Sequence, residues 1–428
     1  MSRPNHSLGD LARYGAALAG TAGSSGAQFL LTLALLGRMP PADFARYSFL
    51  MIVSQLVWGL GGALFSAPLA SLLAHPDSAR AQVSSQAVVR LQPLFALACA
   101  VLSLTVALLI GAGLTESLVY AVLVAAGGIR QFLRVAGYSE GRQARIVGSD
   151  LLYTACVLGL TATLALRHRQ DLYLVLGILT AGHLIGLLPL LRLLPRALAQ
   201  VPTRASLGEY RRIWRESAAW SLIGLIATET TGNAHSYIVT AIAGPGGFAA
   251  VAASTVLSKP GTVALNALSE LERARMARLC GPGDRARLIA TRRLFRAVAL
   301  AAWLATAGLT WAALHGWPGL LFHDQYDLHA LRVAGWLWTA AMLIRCLYLP
   351  EAVEMQARGA FSELAWPRIL GAPVSLAGSL LLVLMAPPEW TIVAICLGEG
   401  LSALALLRAH ARLTGRQGCE TERQGAPA

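Results

Sequence analysis

The chain has 428 residues, 56% of them apolar and only 13% charged, against about 25% charged in an ordinary soluble domain. One globular core stops growing beyond roughly 250–300 residues, so this much apolar sequence excludes a single large soluble domain. The formal net charge is +13, and arginine supplies 34 of the 35 basic residues, mostly in the links between apolar runs. That placement excludes nucleic acid as a partner and matches the topology signals of a polytopic membrane protein.

Apolar runs of about 20 residues, the length that crosses a hydrocarbon layer ~30 Å thick, predict twelve helices. The first half gives 14–36, 48–73, 91–112, 117–137, 147–166 and 172–191. The second gives 218–243, 249–268, 295–314, 333–356, 367–385 and 390–407. The run after Tyr14 is longer than the roughly 7–15 residues of a signal-peptide core and is read as the first span. The fold class expected is an all-α polytopic membrane protein with about twelve transmembrane helices in two six-helix lobes.

The connection 192–217 carries SLGEYRRIWRES, whose pattern predicts an amphipathic surface helix. It divides the chain into an N-terminal lobe (1–200), a basic cytoplasmic linker (201–217), a C-terminal lobe (218–408) and a cytoplasmic tail (409–428). With both termini cytoplasmic, 28 basic residues fall on the cytoplasmic side, counting Arg130, Arg134, Arg296 and Arg368 toward the cytoplasmic ends of their spans. Five fall opposite, namely Arg38, Arg46, Arg167, Arg169 and Arg332. That bias predicts cytoplasmic termini.

The two halves echo one another. At an offset of 204, PADFARYSFLMIVSQ lies over PGGFAAVAASTVLSK, pairing Pro41 with Pro245, Phe44 with Phe248, Ala45 with Ala249 and Ser54 with Ser258. GGIRQF and AMLIRCL set Arg130 opposite Arg345 in the fourth and tenth spans. A 6 + 6 duplication with parallel repeats follows, enclosing a central cavity.

Polar side chains inside a span face a bundle interior or a wet cavity. Thr21, Ser24, Ser25, Gln28 and Thr32 form a stripe on the first span, and Gln55, Gly59, Gly62 and Ser66 form one on the second. For these two, tight packing and cavity lining are both open. The seventh span, with Thr228, Glu229, Thr231, Asn233, His235 and Ser236, is read as cavity-lining. Lys259 either snorkels to the surface or faces the cavity. Arg130 lies near a span end, where a topology anchor is the alternative to a functional role, whereas Arg345 lies deeper and is read as functional. Asp150, Glu351, Glu354 and Glu399 are expected to neutralise neighbouring arginines, and His183 to be a packing residue.

Catalytic patterns such as HExxH, GxSxG or a Walker loop do not occur, so no enzyme activity and no metal are expected. HDQYD, around Asp324 and Asp327, is the nearest approach to a transferase acidic cluster. The six cysteines have neither CxxC nor metal-ligand spacing and read as small buried hydrophobes.

LARYGAALAG, FLLTLALLGRMPPADFARYSF, WSLIGLI, AIAGPGGFAAV and PGLLFHDQYDLHALRV together resemble the polysaccharide-lipid flippases of the MOP (MATE-like) superfamily, the O-antigen and exopolysaccharide translocases. Where those proteins carry a turn glycine, this chain has Ala45 and Ala249, and it has NAH where they often carry an acidic residue. The resemblance implies alternating access that carries an undecaprenyl-diphosphate-linked oligosaccharide from the cytoplasmic to the periplasmic leaflet of a bacterial inner membrane. It implies a diphosphate group of Arg345, Arg130 and Lys259, and sugar- or ion-coupling positions among Glu229, Asn233, His235, Gln28 and Gln55. No cofactor is expected, and a proton or sodium gradient is the candidate driving force. The expected partners are membrane lipid, a polysaccharide polymerase and glycosyltransferases. A MATE-like drug or metabolite antiporter is the alternative, followed by a membrane glycosyltransferase or ligase.

Overall fold

A computed structural model describes residues 8–73, 79–165, 171–191, 204–279, 284–316, 318–322 and 325–424. The chain divides into two compact units, Met1–Leu225 and Ile226–Ala428.

In the first unit, α1 (Leu8–Leu36) is followed by α2, residues 41–73, which widens into a π turn at Gly62–Ser66. Then come α3 (Ala79–Leu109), α4 (Leu114–Ser139), α5 (Gln143–Ala165) and α6 (Leu172–Leu187). A short helix, α7 (Arg204–Ile213), precedes a π turn at Trp214–Ala218. The helical run Ala219–Leu279 is broken at Gly244, giving α8 (219–243) and α9 (245–279). The remainder is α10 (Arg285–Trp311), α11 (Leu328–Ala357), α12 (Phe361–Met385) and α13 (Thr391–Gln424).

Among the described residues, nine segments are long and apolar enough to cross a membrane. The longest, Arg204–Ala277, holds two crossings about Gly244, and two shorter apolar helices, Gly23–Leu36 and Leu172–Leu187, bring the total to twelve. The expected all-α membrane architecture is therefore the observed one. Leu97, Leu109, Leu304, Leu384 and Met385 each keep more than 60% of their surface exposed, as side chains meeting hydrocarbon must.

The duplication is visible in how helices pair. In the first unit α3 packs on α4, α4 on α6 and α5 on α6; in the second α10 packs on α11, α11 on α13 and α12 on α13. Third with fourth, fourth with sixth and fifth with sixth thus recur in each half. The two proline hairpins correspond as well. Pro41 opens α2, where its missing N–H goes unneeded, and Phe44 and Phe248 are both fully buried.

Several elements outrun their predicted spans, α3 and α10 at their starts and α9 and α13 at their ends. At 35 residues, α9 is about 52 Å long, so its last turns leave a ~30 Å hydrocarbon layer. Hydropathy ended this span at 268 because SELERARMARL is charged, yet Glu, Leu, Arg and Ala are strong helix formers and carry the helix on. α13 continues past 407 for the same reason.

The α8–α9 turn rests on one residue. Gly244 has φ 71° and ψ 176°, a region open essentially only to glycine. Gly244→Val is expected to cost about 1–3 kcal/mol, read as a lowered unfolding midpoint of the purified protein. Gly246→Ala, in the helix beyond, should cause no such loss.

Candidate functional site

The site is built in the second unit, where α9 meets α11. A Cβ on Gly261 would lie 2.3 Å from Thr306 Oγ1 and 2.4 Å from Met342 Cε, so glycine brings α9 close against α10 and α11. One turn beyond Met342, Arg345 reaches back across this contact, and its Nη2 donates to Asn266 Oδ1 at 3.0 Å. Lys259 is exposed and lies seven residues before Asn266. That spacing sets both on one face of α9, about 10 Å apart along the axis. Thr262 falls between them on the same stripe. Neither Lys259 nor Arg345 has an ion pair among the described residues. Pro260, without an N–H, leaves the carbonyl of Val256 without its usual helical donor. The result is a polar stripe carrying two cations within an apolar helix pair.

Four other carboxylates, Asp150, Glu351, Glu354 and Glu399, are committed to arginines. Asp150 accepts from Arg130 Nη2 at 2.5 Å and Arg134 Nη2 at 2.9 Å, and is 1% exposed. Arg130 also donates from Nε to Ser149 Oγ at 3.0 Å, with its guanidinium over the Tyr153 ring at 4.6 Å. Arg130, the repeat counterpart of Arg345, therefore has its partners within the first unit. The sequence echo hides a difference in partners. In the second unit Arg292, Arg296 and Arg358 surround Glu351 and Glu354; Arg292 Nη1 lies 3.0 Å from Glu354 and Arg358 Nη2 lies 2.7 Å from it, with His410 at 3.2 Å. Glu399 accepts from Arg368 Nη1 and from Tyr348 Oη, both at 2.7 Å.

The remaining polar positions separate into two kinds. On α8, Asn233 donates to Glu229 at 2.7 Å, and both are half-buried. His235 is buried two residues on, bonded to Ser236 Oγ at 2.9 Å and packed edge-on against Trp338 at 5.3 Å. It is a packing residue in this structure, unlike Glu229 and Asn233. In the first unit, Gln28 is half-buried and points its amide at Met51 Sδ at 3.8 Å, while Gln55 is exposed. Their neighbours Thr32 and Ser54 bond across helices to Tyr47 and Tyr120, each at 3.1 Å, which favours packing for those two. The side chain of Thr21 lies outside the described residues. His183 is wedged between Trp58 and Tyr153, with ring centroids 5.2 and 4.9 Å away. Asp324 lies outside the described residues, while Asp327 caps α11 by accepting from the His329 N–H at 2.9 Å.

Asn266 is the member of this candidate site that pattern reading missed. Its signal was present, as an asparagine in an apolar span seven residues after Lys259.

No protein-family model matches the sequence, and no curated protein does. Solved structures match over nearly the whole chain. An inward-facing multidrug-resistance MATE family transporter of the MOP superfamily superposes with a TM-score of 0.64 at 14% identity, covering 91% of this chain and 95% of its own. The eukaryotic MATE transporter AtDTX14 gives 0.63 at 12% identity, covering 96% and 99%. A MOP superfamily transporter from Pyrococcus furiosus, described as having a binding pocket of reversed polarity that suggests a different function, gives 0.59 at 13% identity, covering 94% and 95%. At these identities the likeness is one of fold: the chain has the fold of MATE transporters.

Proposed function

We propose that the protein is a transporter working by alternating access, and that its cargo is an undecaprenyl-diphosphate-linked oligosaccharide. The cargo moves from the cytoplasmic to the periplasmic leaflet of a bacterial inner membrane, with both protein termini cytoplasmic. The observation that carries this reading is the stripe of Lys259, Thr262, Asn266 and Arg345, where two cations stand without carboxylate partners among the described residues. A cation held in a membrane helix is costly, and the carboxylates Glu351, Glu354 and Glu399 of the same unit are matched to other arginines and to His410. A diphosphate supplies the missing anion, and arginine's planar fork suits phosphate oxygens. Thr262 and Asn266 offer hydroxyl and amide groups to the phosphate esters or the first sugar, while the lipid tail stays in hydrocarbon.

Glu229 and Asn233, on α8, are the candidate coupling positions for a proton or a sodium ion. A structure of this fold described as having a binding pocket of reversed polarity that suggests a different function is consistent with a pocket lined by cations. A polymerase and glycosyltransferases are the partners such a cargo requires.

Antiport of organic cations is the second reading, favoured by the multidrug transporters that share the fold and by Glu229, which has no ion pair among the described residues. The two separate in proteoliposomes. Labelled undecaprenyl-diphosphate oligosaccharide is expected to become accessible in the opposite leaflet, and organic cations are expected not to accumulate. Cation uptake without lipid movement would instead establish the antiporter.

A further inference from the structure

The helix α7 (Arg204–Ile213) has two working faces, and only one is used within the first unit. Its inner face is locked. Tyr210 Oη donates to the Leu64 carbonyl at 3.0 Å, where α2 widens into its π turn, and its ring stacks on Phe65 at 5.3 Å. Ser206 and Ile213 are buried. Ser84 of α3 donates to Glu209 at 2.5 Å and accepts from Arg212 Nη2 at 2.8 Å, and Arg212 pairs with Glu209. Such a helix is fixed in orientation, so what it presents outward is fixed too.

The outer face carries Arg204, Leu207, Gly208, Arg211 and Arg215, recurring at spacings of three and four that place them on one side. All five are exposed, with Leu207 57% accessible. No ion pair joins Arg204, Arg211 or Arg215 to a carboxylate among the described residues, because the nearby Glu216 faces Arg212 at 3.5 Å. Gly208 has nothing within 4 Å of where a Cβ would stand, and Gly208, Arg211, Arg212, Arg215 and Glu216 border one shallow depression, in which three arginines outnumber the one carboxylate. Trp214 and Trp220, 40% and 68% exposed, follow where the chain turns through Trp214–Ala218 into the membrane-crossing α8. Tryptophans concentrate at the level of lipid headgroups, which sets this face at that depth.

We infer that the outer face of α7 is a docking surface for anionic phospholipid headgroups, with Arg211 and Arg215 holding a phosphate over the gap at Gly208 and Arg204 adding charge. Leu207 and Trp214 enter the acyl boundary beside them, as in interfacial helices. Because α7 is bound to the π turn of α2 and to α3, lipid held there also anchors the first unit at the membrane surface.

The test uses the full-length protein in detergent, titrated with phosphatidylglycerol or phosphatidylcholine, with bound lipid counted by native mass spectrometry. The wild type is expected to retain phosphatidylglycerol in preference to phosphatidylcholine. The double variant Arg211→Gln/Arg215→Gln should weaken phosphatidylglycerol binding by about fivefold per arginine removed. Arg211→Lys/Arg215→Lys should keep most of the preference, and Arg287→Gln/Arg293→Gln, on the exposed face of α10, should keep all of it. Unchanged phosphatidylglycerol retention in the Gln variant, an equal loss in the α10 variant, or no headgroup preference in the wild type would each overturn the assignment.

Discussion

Arg345→Gln and Lys259→Gln, each in protein that inserts and folds normally, are expected to slow lipid-linked oligosaccharide translocation by about 10- to 100-fold. The magnitude follows from losing one hydrogen bond to a charged group, about 1.5–3 kcal/mol. Arg345→Lys should recover only part of the rate, since a point charge replaces a planar fork. Asn266→Ala should show a smaller defect, because the amide orients Arg345 at 3.0 Å and adds no charge. Leaflet-exchange rates in proteoliposomes, normalised to inserted protein, measure all four.

The second large effect concerns stability. Asp150→Asn is expected to destabilise the first unit by about 3–5 kcal/mol, the usual result of breaking a buried ion pair from one side. Asp150 answers two arginines, at 2.5 and 2.9 Å, so its loss strands both. Arg134→Gln should cost much less, because Arg130 still holds the carboxylate and Arg134 is the more exposed of the two. A Cβ on Gly20 would fall 3.1 Å from Asp150 Oδ2, so α1 also packs against this carboxylate, and the Asn variant should loosen α1 from α5. Thermal unfolding of the purified variants orders them: Asp150→Asn lowest, Arg134→Gln near wild type.

The contrast between Arg130 and Arg345 shows where sequence reading ended. Span number, the proline hairpins and the duplicated six-helix repeat all follow from hydrophobic runs and punctuation, which are local properties. The correspondence of Phe44 with Phe248 was legible for that reason. Which arginine keeps a free charge depends on whether a carboxylate from another helix arrives beside it. Asp150 lies 20 residues from Arg130, and Asn266 lies 79 residues from Arg345. Distances of that kind are set by helix packing, here by the missing side chain at Gly261, and leave no local trace. His235 likewise takes a partner that its own helix does not announce. Its helical position matches the polar stripe of α8, but Trp338 arrives from α11 and covers it. The α7 helix lies between these cases. Its amphipathic pattern was plain, whereas the partners of its inner face, Leu64, Phe65 and Ser84, come from two earlier helices.

The carboxylate ledger of the second unit bears on specificity. Glu351, Glu354 and Glu399 are each held by at least one arginine, so Glu229 is the acidic position best placed to meet an organic cation. A cation-selective pocket built on one half-buried carboxylate would compete with Lys259 and Arg345 in the same unit. Those two charges favour an anionic headgroup instead.

Direct binding tests the central claim most simply. Undecaprenyl-diphosphate oligosaccharide is titrated against wild-type protein and against the Lys259→Gln/Arg345→Gln variant in nanodiscs of zwitterionic lipid, beside an organic cation. The account predicts tight binding of the diphosphate cargo to the wild type, weakened at least 100-fold in the variant, with cation binding not diminished. Equal cargo affinity in both proteins, or cation binding alone, would contradict it.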